Sequence, residues 1–200
     1  MERVTAFVLA GGKSTRMGKD KAFLEFQGRT LLRNALELGR AITDQVRIVG
    51  DPAKFADFGT VVEDIYPGRG PLGGIHAALK SSATALNLMI GVDLPLLEIR
   101  FLEYLTASAV QSGAVVTVPR VGVHYEPLCA VYRTEFVVGA ERALVAGRNK
   151  IDALFTGLPT RTVDDQELAR HGFAPAMFRN VNTPEDWKLA QEEFARRQHV

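Results

Sequence analysis

The chain has 200 residues, of which 46% are hydrophobic and 24% are charged, and its formal net charge is +1. This size and balance are typical of one globular domain with its own core, and the near-neutral charge argues against a protein that binds nucleic acid or a membrane surface. The single cysteine, Cys129, excludes a disulfide framework, and its apolar surroundings indicate a buried core residue.

From the start of the chain to about residue 119, short apolar runs alternate with stretches of helical periodicity. Predicted strands cover 4–10, 45–50, 59–65, 86–95 and 114–119, and predicted helices cover 30–42, 71–82 and 98–113. This βαβ order predicts an α/β fold with a mostly parallel central sheet and helices on both faces. Right-handed crossovers then place the loops that follow the parallel strands at one edge of the sheet, where such folds bind ligands.

After Pro119 the pattern is less regular. Two strands are predicted within 121–133, around a turn near Glu126-Pro127, and we interpret this part as a continuation of the same domain. Helices are predicted at 134–146, 149–156 and 184–197. The chain opens directly on the first strand without a signal-peptide pattern, and its apolar runs are too short to span a membrane, so we expect a cytoplasmic protein.

The first predicted strand runs into a loop rich in glycine and basic residues, AGGKSTRMGKDK. Successive glycines let the backbone approach a ligand closely, and successive N–H groups in such a loop bind anions. The lysines and the arginine that follow add positive charge, so the loop is suited to a triphosphate. Its spacing matches neither the P-loop G-x-x-x-x-G-K-[ST] nor the dinucleotide-binding G-x-G-x-x-G, so it is expected to wrap the phosphates instead.

The segment LAGGKSTRMGKDKA closely resembles the signature of GT-A-like nucleotidyltransferases, in the form found in the MobA-like family of molybdenum cofactor guanylyltransferases. Three further segments resemble that family, in the same order along the chain: VVEDIYPGRGPLGGIHAAL (61–79), GVDLPLL (91–97) and NVNTPED (180–186). The resemblance implies a single three-layer, Rossmann-like nucleotidyltransferase domain over 1–200. It also implies an enzyme that transfers GMP from GTP to molybdopterin, with Mg²⁺, and releases pyrophosphate.

The resemblance assigns the nucleotide site to the first half of the chain, 1–119. It implies that the backbone after the first strand holds the base and ribose of GTP, at Leu9, Ala10, Gly11 and Gly12. Arg16 and Lys21 match the basic residues on the triphosphate, where fixed cations would stabilise the charge that builds on pyrophosphate. Asp64 matches a nucleotide contact, either to the guanine edge or to the ribose, although an Asp here also suits a turn. Asp51 is assigned to GTP only weakly, because the segment around it departs from the family pattern.

Asp93 follows the apolar run LNLMIGV, at the point where burial of the predicted strand stops. The resemblance implies that this carboxylate binds the catalytic Mg²⁺, and one carboxylate suffices because Mg²⁺ also takes phosphate oxygens and water. A helix N-cap for the LPLLEI segment is the alternative reading of the same residue.

The acceptor, molybdopterin or its molybdenum-loaded form, is assigned by the resemblance to the half 120–200 together with the glycine-rich helix entry. The candidate acceptor residues are Gly70, Gly74, Arg148, Asn180 and Asn182, with Lys150 beside them. Helix packing is a simpler alternative for the glycines, and a solvated surface is one for the basic residues. A helix start explains the TPED segment but does not explain Asn180 or Asn182. Further partners would be proteins that deliver the pterin or accept the product.

Rival functions remain open at this point. A cytidylyltransferase acting on molybdopterin would share the fold, although that sibling pattern reads L-A-A-G, and Gly11 favours a purine. A sugar-phosphate or phospholactate nucleotidyltransferase is a more distant alternative. A GTP-binding module without turnover is the alternative from another class, and the joint presence of Lys21, Asp64 and Asp93 argues against it.

Overall fold

A computed structural model of the chain describes residues 2–11 and 20–197. The strands are β1 (Val4–Leu9), β2 (Glu25–Phe26), β3 (Arg29–Thr30), β4 (Val46–Val49), β5 (Val61–Val62), β6 (Leu86–Gly91), β7 (Val116–Val121), β8 (His124–Tyr125), β9 (Cys129–Arg133) and β10 (Thr160–Val163). The α-helices are α1 (Leu31–Ile42), α2 (Pro52–Phe55), α3 (Pro71–Ser81), α4 (Ile99–Ser112), α5 (Phe136–Val145), α6 (Asp165–Arg170) and α7 (Pro184–Arg197). Short 3-10 segments lie at Lys21–Phe23, Ala56–Phe58, Asp152–Gly157 and Pro175–Phe178.

The central sheet has the strand order β5-β4-β1-β6-β9-β7-β10, and β8 pairs with β7. β1 runs parallel to both β4 and β6, β4 runs parallel to β5, and β7 runs parallel to β10. β9 is antiparallel to its neighbours β6 and β7. The predicted α/β fold with a mostly parallel sheet is therefore confirmed. The chain leaves β1 toward β4 on one side and later returns to β6 on the other, which creates a topological switch point at the carboxyl end of β1.

Helices cover both faces of the sheet and give three layers. Along β1, Ala6 and Val8 pack into one core with residues of α1, α4, α6 and α7, whereas Phe7 and Leu9 pack into a second core with residues of α3 and α5. This alternation follows from the two-residue period of a strand. Cys129 lies in the first core and is fully buried, as predicted. Within 2–11 and 20–197, no helix is long and apolar enough to cross a membrane.

Several predicted element boundaries were wrong. The predicted strand 59–65 shrinks to the two-residue β5, and the predicted strand 86–95 ends at Gly91, where Leu94 N turns back to donate to Gly91 O. The predicted helix 149–156 is a 3-10 segment, Asp152–Gly157, closed by i→i+3 bonds such as Leu158 N to Phe155 O. The short elements α2, α6 and β10 were not predicted, because four to six residues carry too little periodicity.

Candidate active site

Three polar side chains from distant segments meet at the carboxyl edge of the sheet. Lys21 begins the 3-10 turn that follows β1 in the chain, Asp93 lies in the turn after β6, and Asn182 lies just before α7. Lys21 Nζ donates to Asp93 Oδ2 at 3.0 Å and to Asn182 Oδ1 at 2.6 Å. Lys21 is only 7% exposed, so its ammonium depends on these two oxygens for its solvation. The two predicted catalytic residues that the structure describes, Lys21 and Asp93, are therefore in direct contact.

Backbone contacts fix the position of Asp93. Val92 N donates to Leu9 O at 3.2 Å, and Val181 N donates to Asp93 O at 3.0 Å, so the turn is tied both to β1 and to the segment before α7. A Cβ on Gly91 would lie 2.8 Å from Asp93 Oδ1, which explains why glycine ends β6. Asp93 thus lies two residues beyond the strand, and the helix-cap alternative is excluded, since α4 begins only at Ile99.

The donor set around Lys21 matches what Mg²⁺ takes in proteins. A carboxylate oxygen of Asp93 and the amide oxygen of Asn182 converge on one cation, the Lys21 ammonium. Mg²⁺ is usually bound by one or two carboxylates, with phosphate oxygens and waters completing its shell. Among the residues that the structure describes, no group of three or more His, Cys, Asp or Glu could hold a metal by itself. The site therefore fits a metal that arrives together with phosphate.

The backbone that follows β1 is pinned to the neighbouring strand. Ala10 N and Gly11 N both donate to Val49 O, at 3.0 and 3.1 Å. Leu9 and Ala10 are buried, whereas Gly11 is exposed, and a Cβ on Gly11 would meet nothing closer than 3.8 Å. The exposed backbone of Gly11 thus reaches the surface at the switch point, where we predicted a base and ribose. The predictions for Gly12 and Arg16 fall on residues outside those that the structure describes.

Asp64 lies beside the entry to α3. Asp64 Oδ1 accepts a hydrogen bond from Tyr66 N at 3.2 Å, and a Cβ on Gly73 would lie 2.9 Å from the same oxygen. Burial raises the pKa of the Asp64 carboxyl above its ordinary value, and the bond from Tyr66 and nearby His76 only partly oppose this. Glycine at 73 is therefore needed for Asp64 to lie against the first turn of the helix.

The two predicted acceptor glycines have different roles in the fold. Gly74 faces the sheet, since a Cβ there would lie 3.3 Å from Leu9 Cδ2 and 3.5 Å from Val49 Cγ1, so helix packing accounts for it. Gly70 is the N-cap of α3 with φ +66°, no side chain caps the helix, and nothing lies within 4 Å of the position of a Cβ. Gly70 is exposed, and α3 begins after it with Pro71, which has no N–H, so Gly70 itself is the open part of this helix entry.

The remaining predicted acceptor residues lie in two surface segments. Arg148 and Lys150 are exposed in the loop after α5. Asn180 and Asn182 flank the buried Val181, and both asparagines are exposed. The predicted helix start is confirmed for α7, because Asp186 Oδ2 accepts from Asn182 N and Thr183 N, and Thr183 Oγ1 accepts from Asp186 N at 3.1 Å. That cap explains the TPED segment and leaves the Asn182 side chain for Lys21.

Asp51 caps a helix in the structure. It begins the short helix α2, and its Oδ1 accepts from Ala53 N at 2.9 Å while the residue stays exposed. It nevertheless lies at the carboxyl end of β4, next to the switch point. Its weak assignment to GTP remains a prediction.

Glu126 was predicted only as part of a turn, although the structure gives it a special environment. The turn is fixed by Glu126 N, which donates to Pro119 O, and by Cys129 N, which donates to Glu126 O, both at 2.9 Å. Burial, and then the charges of Asp93 and Asp152, raise the pKa of the Glu126 carboxyl to about 7. The acidic residue before a proline in YEPL was the available signal, but pairing of β9 with β6 was needed to bring it toward Asp93.

Comparison with known proteins identifies the family. A family model described as the MobA-like NTP transferase domain matches residues 6–161, which include Lys21, Asp64 and Asp93. The chain belongs to the MobA-like NTP transferase family. It is accordingly a nucleotidyltransferase enzyme, as its resemblance implied.

The similarity of this MobA-like enzyme to curated relatives extends beyond the residues that the family model matches. It is 35% identical to the molybdenum cofactor guanylyltransferase of Syntrophotalea carbinolica, over 92% of this chain and 89% of that protein. It is 31% identical to the molybdenum cofactor guanylyltransferase of Desulfosudis oleivorans, over 96% of each chain. Because these matches span nearly the whole chain, they include the segment of Asn180 and Asn182, which lies beyond the family model.

Solved structures agree with this assignment. Molybdopterin-guanine dinucleotide biosynthesis protein A from Archaeoglobus fulgidus has a TM-score of 0.82 and 27% identity, covering 96% of this chain and 99% of that one. The 2-C-methyl-D-erythritol 4-phosphate cytidylyltransferase of Thermus thermophilus has a TM-score of 0.69 at 19% identity, covering 98% of this chain and 100% of that one. The second likeness shows that the MobA-like enzyme shares its fold with other nucleotidyltransferases.

Proposed function

We propose that the enzyme transfers GMP from GTP to molybdopterin, giving molybdopterin guanine dinucleotide and pyrophosphate. The observation that carries the proposal is the contact of Lys21 with Asp93 and Asn182 at the switch point. The names of the full-length relatives support the same nucleotide and acceptor. The reaction would take place in the cytoplasm.

The chemistry would need no covalent enzyme intermediate. The terminal phosphate of the acceptor is already a nucleophile, so the protein has to position it in line with the α-phosphorus and balance charge. Lys21 and Arg16 would bind the triphosphate and stabilise the negative charge that develops on the leaving pyrophosphate. Asp93 would hold Mg²⁺ with the help of Asn182. The metal would polarise the α-phosphate and neutralise charge on the leaving group.

The proposal divides the domain into two halves. Residues 1–119 would bind GTP, with base and ribose on the backbone of Leu9, Ala10, Gly11 and Gly12 and with Asp64 and Asp51 as further nucleotide contacts. Residues 120–200 would bind the acceptor. There the exposed Arg148, Asn180 and Asn182, with Lys150, would meet the pterin and its phosphate. The exposed helix entry at Gly70 would let the acceptor approach the backbone closely, because glycine has no Cβ.

Pyrophosphate release tests the proposal. The wild-type enzyme is mixed with Mg²⁺, a molybdopterin source, and either GTP, CTP or ATP. We expect release with GTP, dependent on the acceptor, and a loss of roughly 100-fold or more in Asp93→Asn, the scale typical of a charge-stabilising group. The matched control is Asp57→Asn, an exposed aspartate in the 3-10 segment Ala56–Phe58, which should retain activity.

The same assay addresses the competing functions. Preference for CTP would make the enzyme a molybdopterin cytidylyltransferase and would contradict the purine reading of Gly11. Tight GTP binding without pyrophosphate release, under every condition, would contradict turnover and leave a GTP-binding module.

A further inference from the structure

The Lys21 ammonium contacts the two side-chain oxygens that would hold the proposed metal. Both of its partners are oxygens of the kind that hold a divalent cation, at 3.0 Å from Asp93 and 2.6 Å from Asn182. The side chains of Lys21 and Asp93 are only 9% and 19% exposed. Asp93 therefore already has a cationic partner within the protein, the Lys21 ammonium.

Lys21 and a divalent ion would compete for the same oxygen. Two cations on one carboxylate repel each other strongly, and solvent screens this repulsion poorly at a position with so little exposure. An anion placed between the cations removes the conflict. A triphosphate is such an anion, and a lysine can reach it without movement of its backbone, because the ammonium is a point charge on a flexible stem.

The surrounding contacts hold the lysine in its blocking position. Asp20 starts the 3-10 turn by accepting from Ala22 N at 3.2 Å, and its other oxygen, Oδ2, pairs with Lys54 Nζ at 2.7 Å. On the opposite side, the backbone N–H of Asn182 donates to Asp186 Oδ2 at 3.0 Å, which ties the backbone of Asn182 to the start of α7. Both sides of the Lys21 contact are thus anchored to neighbouring elements.

We propose that Lys21 blocks Asp93 against divalent cations in the nucleotide-free enzyme, and that a bound nucleoside triphosphate draws the ammonium away and admits the metal. This inference rests on the proposed function, because it takes Asp93 as the metal ligand. Nucleotide and metal then bind cooperatively, and the coupling is reciprocal: each raises the affinity for the other. The enzyme would avoid holding a divalent ion without its substrate.

Metal binding to the nucleotide-free protein tests this block. Free Mn²⁺ is measured by electron paramagnetic resonance during titration of the wild type, Lys21→Met and Lys21→Gln. We expect Mn²⁺ to bind the Lys21 variants about tenfold more tightly or better, within the usual range of coupling between sites. Adding Asp93→Asn to Lys21→Met should abolish the gain. Lys80→Met, which removes an exposed lysine paired with Glu141 away from this site, should bind Mn²⁺ as the wild type does.

A non-hydrolysable GTP analogue supplies the second readout. It should increase Mn²⁺ affinity more in the wild type than in Lys21→Met, because only the wild type has an ammonium to remove. Thermal melting checks that each variant is folded. If Lys21→Met does not fold, the comparison with the wild type is made with Lys21→Gln. Nucleotide-free Mn²⁺ affinity that is unchanged or weaker in the folded Lys21 variants overturns the block, even if the wild type is fully active. Failure of the proposed function is seen separately, as wild-type enzyme that releases no pyrophosphate.

Discussion

Replacing Glu126 by glutamine should make the metal-free protein more stable above neutral pH. Burial and the charges of Asp93 and Asp152 raise the pKa of the Glu126 carboxyl from 4.5 to about 7. The folded state therefore binds the proton more tightly than the unfolded state. The stability that the proton on Glu126 contributes is fully present below pH 4.5, the pKa of this group in the unfolded state. It is lost as the pH rises through about 7, the pKa in the folded state.

The magnitude follows from the size of this shift. At about 1.4 kcal/mol for each pKa unit, the difference in the pKa of Glu126 between the folded and unfolded states sets an upper limit of about 3.5 kcal/mol on the cost of the charge. Glu126 is half-buried, so solvent screening reduces the expected cost to about 1–2 kcal/mol. For a chain of this length, that corresponds to a rise in Tm of about 2–8 °C in Glu126→Gln.

Thermal melts in EDTA between pH 5 and pH 8 measure the effect. The advantage of Glu126→Gln over the wild type should grow with pH and level off above about 7. Glu103→Gln, an exposed glutamate on α4, is the matched control and should show no such trend. A Glu126→Gln protein whose Tm difference from the wild type is independent of pH, or negative at pH 8, would refute the reasoning.

Four further variants test local geometry. Gly73→Ala forces a Cβ to 2.9 Å from Asp64 Oδ1, and should cost about 1–3 kcal/mol of stability and raise KM for GTP. Gly139→Ala, in a helix where nothing lies within 4 Å of the added atom, should instead stabilise by about 0.5–1 kcal/mol. Asp51→Ser keeps a side chain that can cap α2, so it should not lower Tm. If Asp51 contacts GTP as proposed, the variant should raise KM for GTP, and an unchanged KM would limit Asp51 to capping. Tyr104→Phe removes the hydroxyl that donates to the buried carboxylate of Glu167 on α6. It should lower the free energy of unfolding by about 1–3 kcal/mol in denaturant titrations without changing KM for GTP.

The parallel part of the sheet could be predicted from the sequence because its strands are buried on both faces. β1 and β6 are largely apolar runs, and the helices between them carry a clear periodicity, so their order alone predicts the sheet edge that binds ligands. Asp93 was found in this way, as the first carboxylate after such a run. Lys21 was found by its motif, and its contact with Asp93 was not predicted.

The remaining site features depend on long-range pairing that periodicity does not contain. Glu126 approaches Asp93 only because β9 inserts antiparallel beside β6. Asn182 reaches Lys21 across 161 positions of sequence, where only the family motif gave a signal. Gly73 and Gly74 look equivalent in the sequence, and their opposite surroundings, Asp64 for one and the sheet for the other, appear only when α3 is docked.

The identity of the dinucleotide product tests the central claim most directly. The enzyme is incubated with molybdopterin, Mg²⁺ and an equimolar mixture of GTP, CTP and ATP, and the pterin products are identified by mass spectrometry. Our account predicts the guanine dinucleotide as the main product, and its loss in Asp93→Asn. A cytosine or adenine dinucleotide as the main product, or an undiminished guanine product in Asp93→Asn, would contradict it.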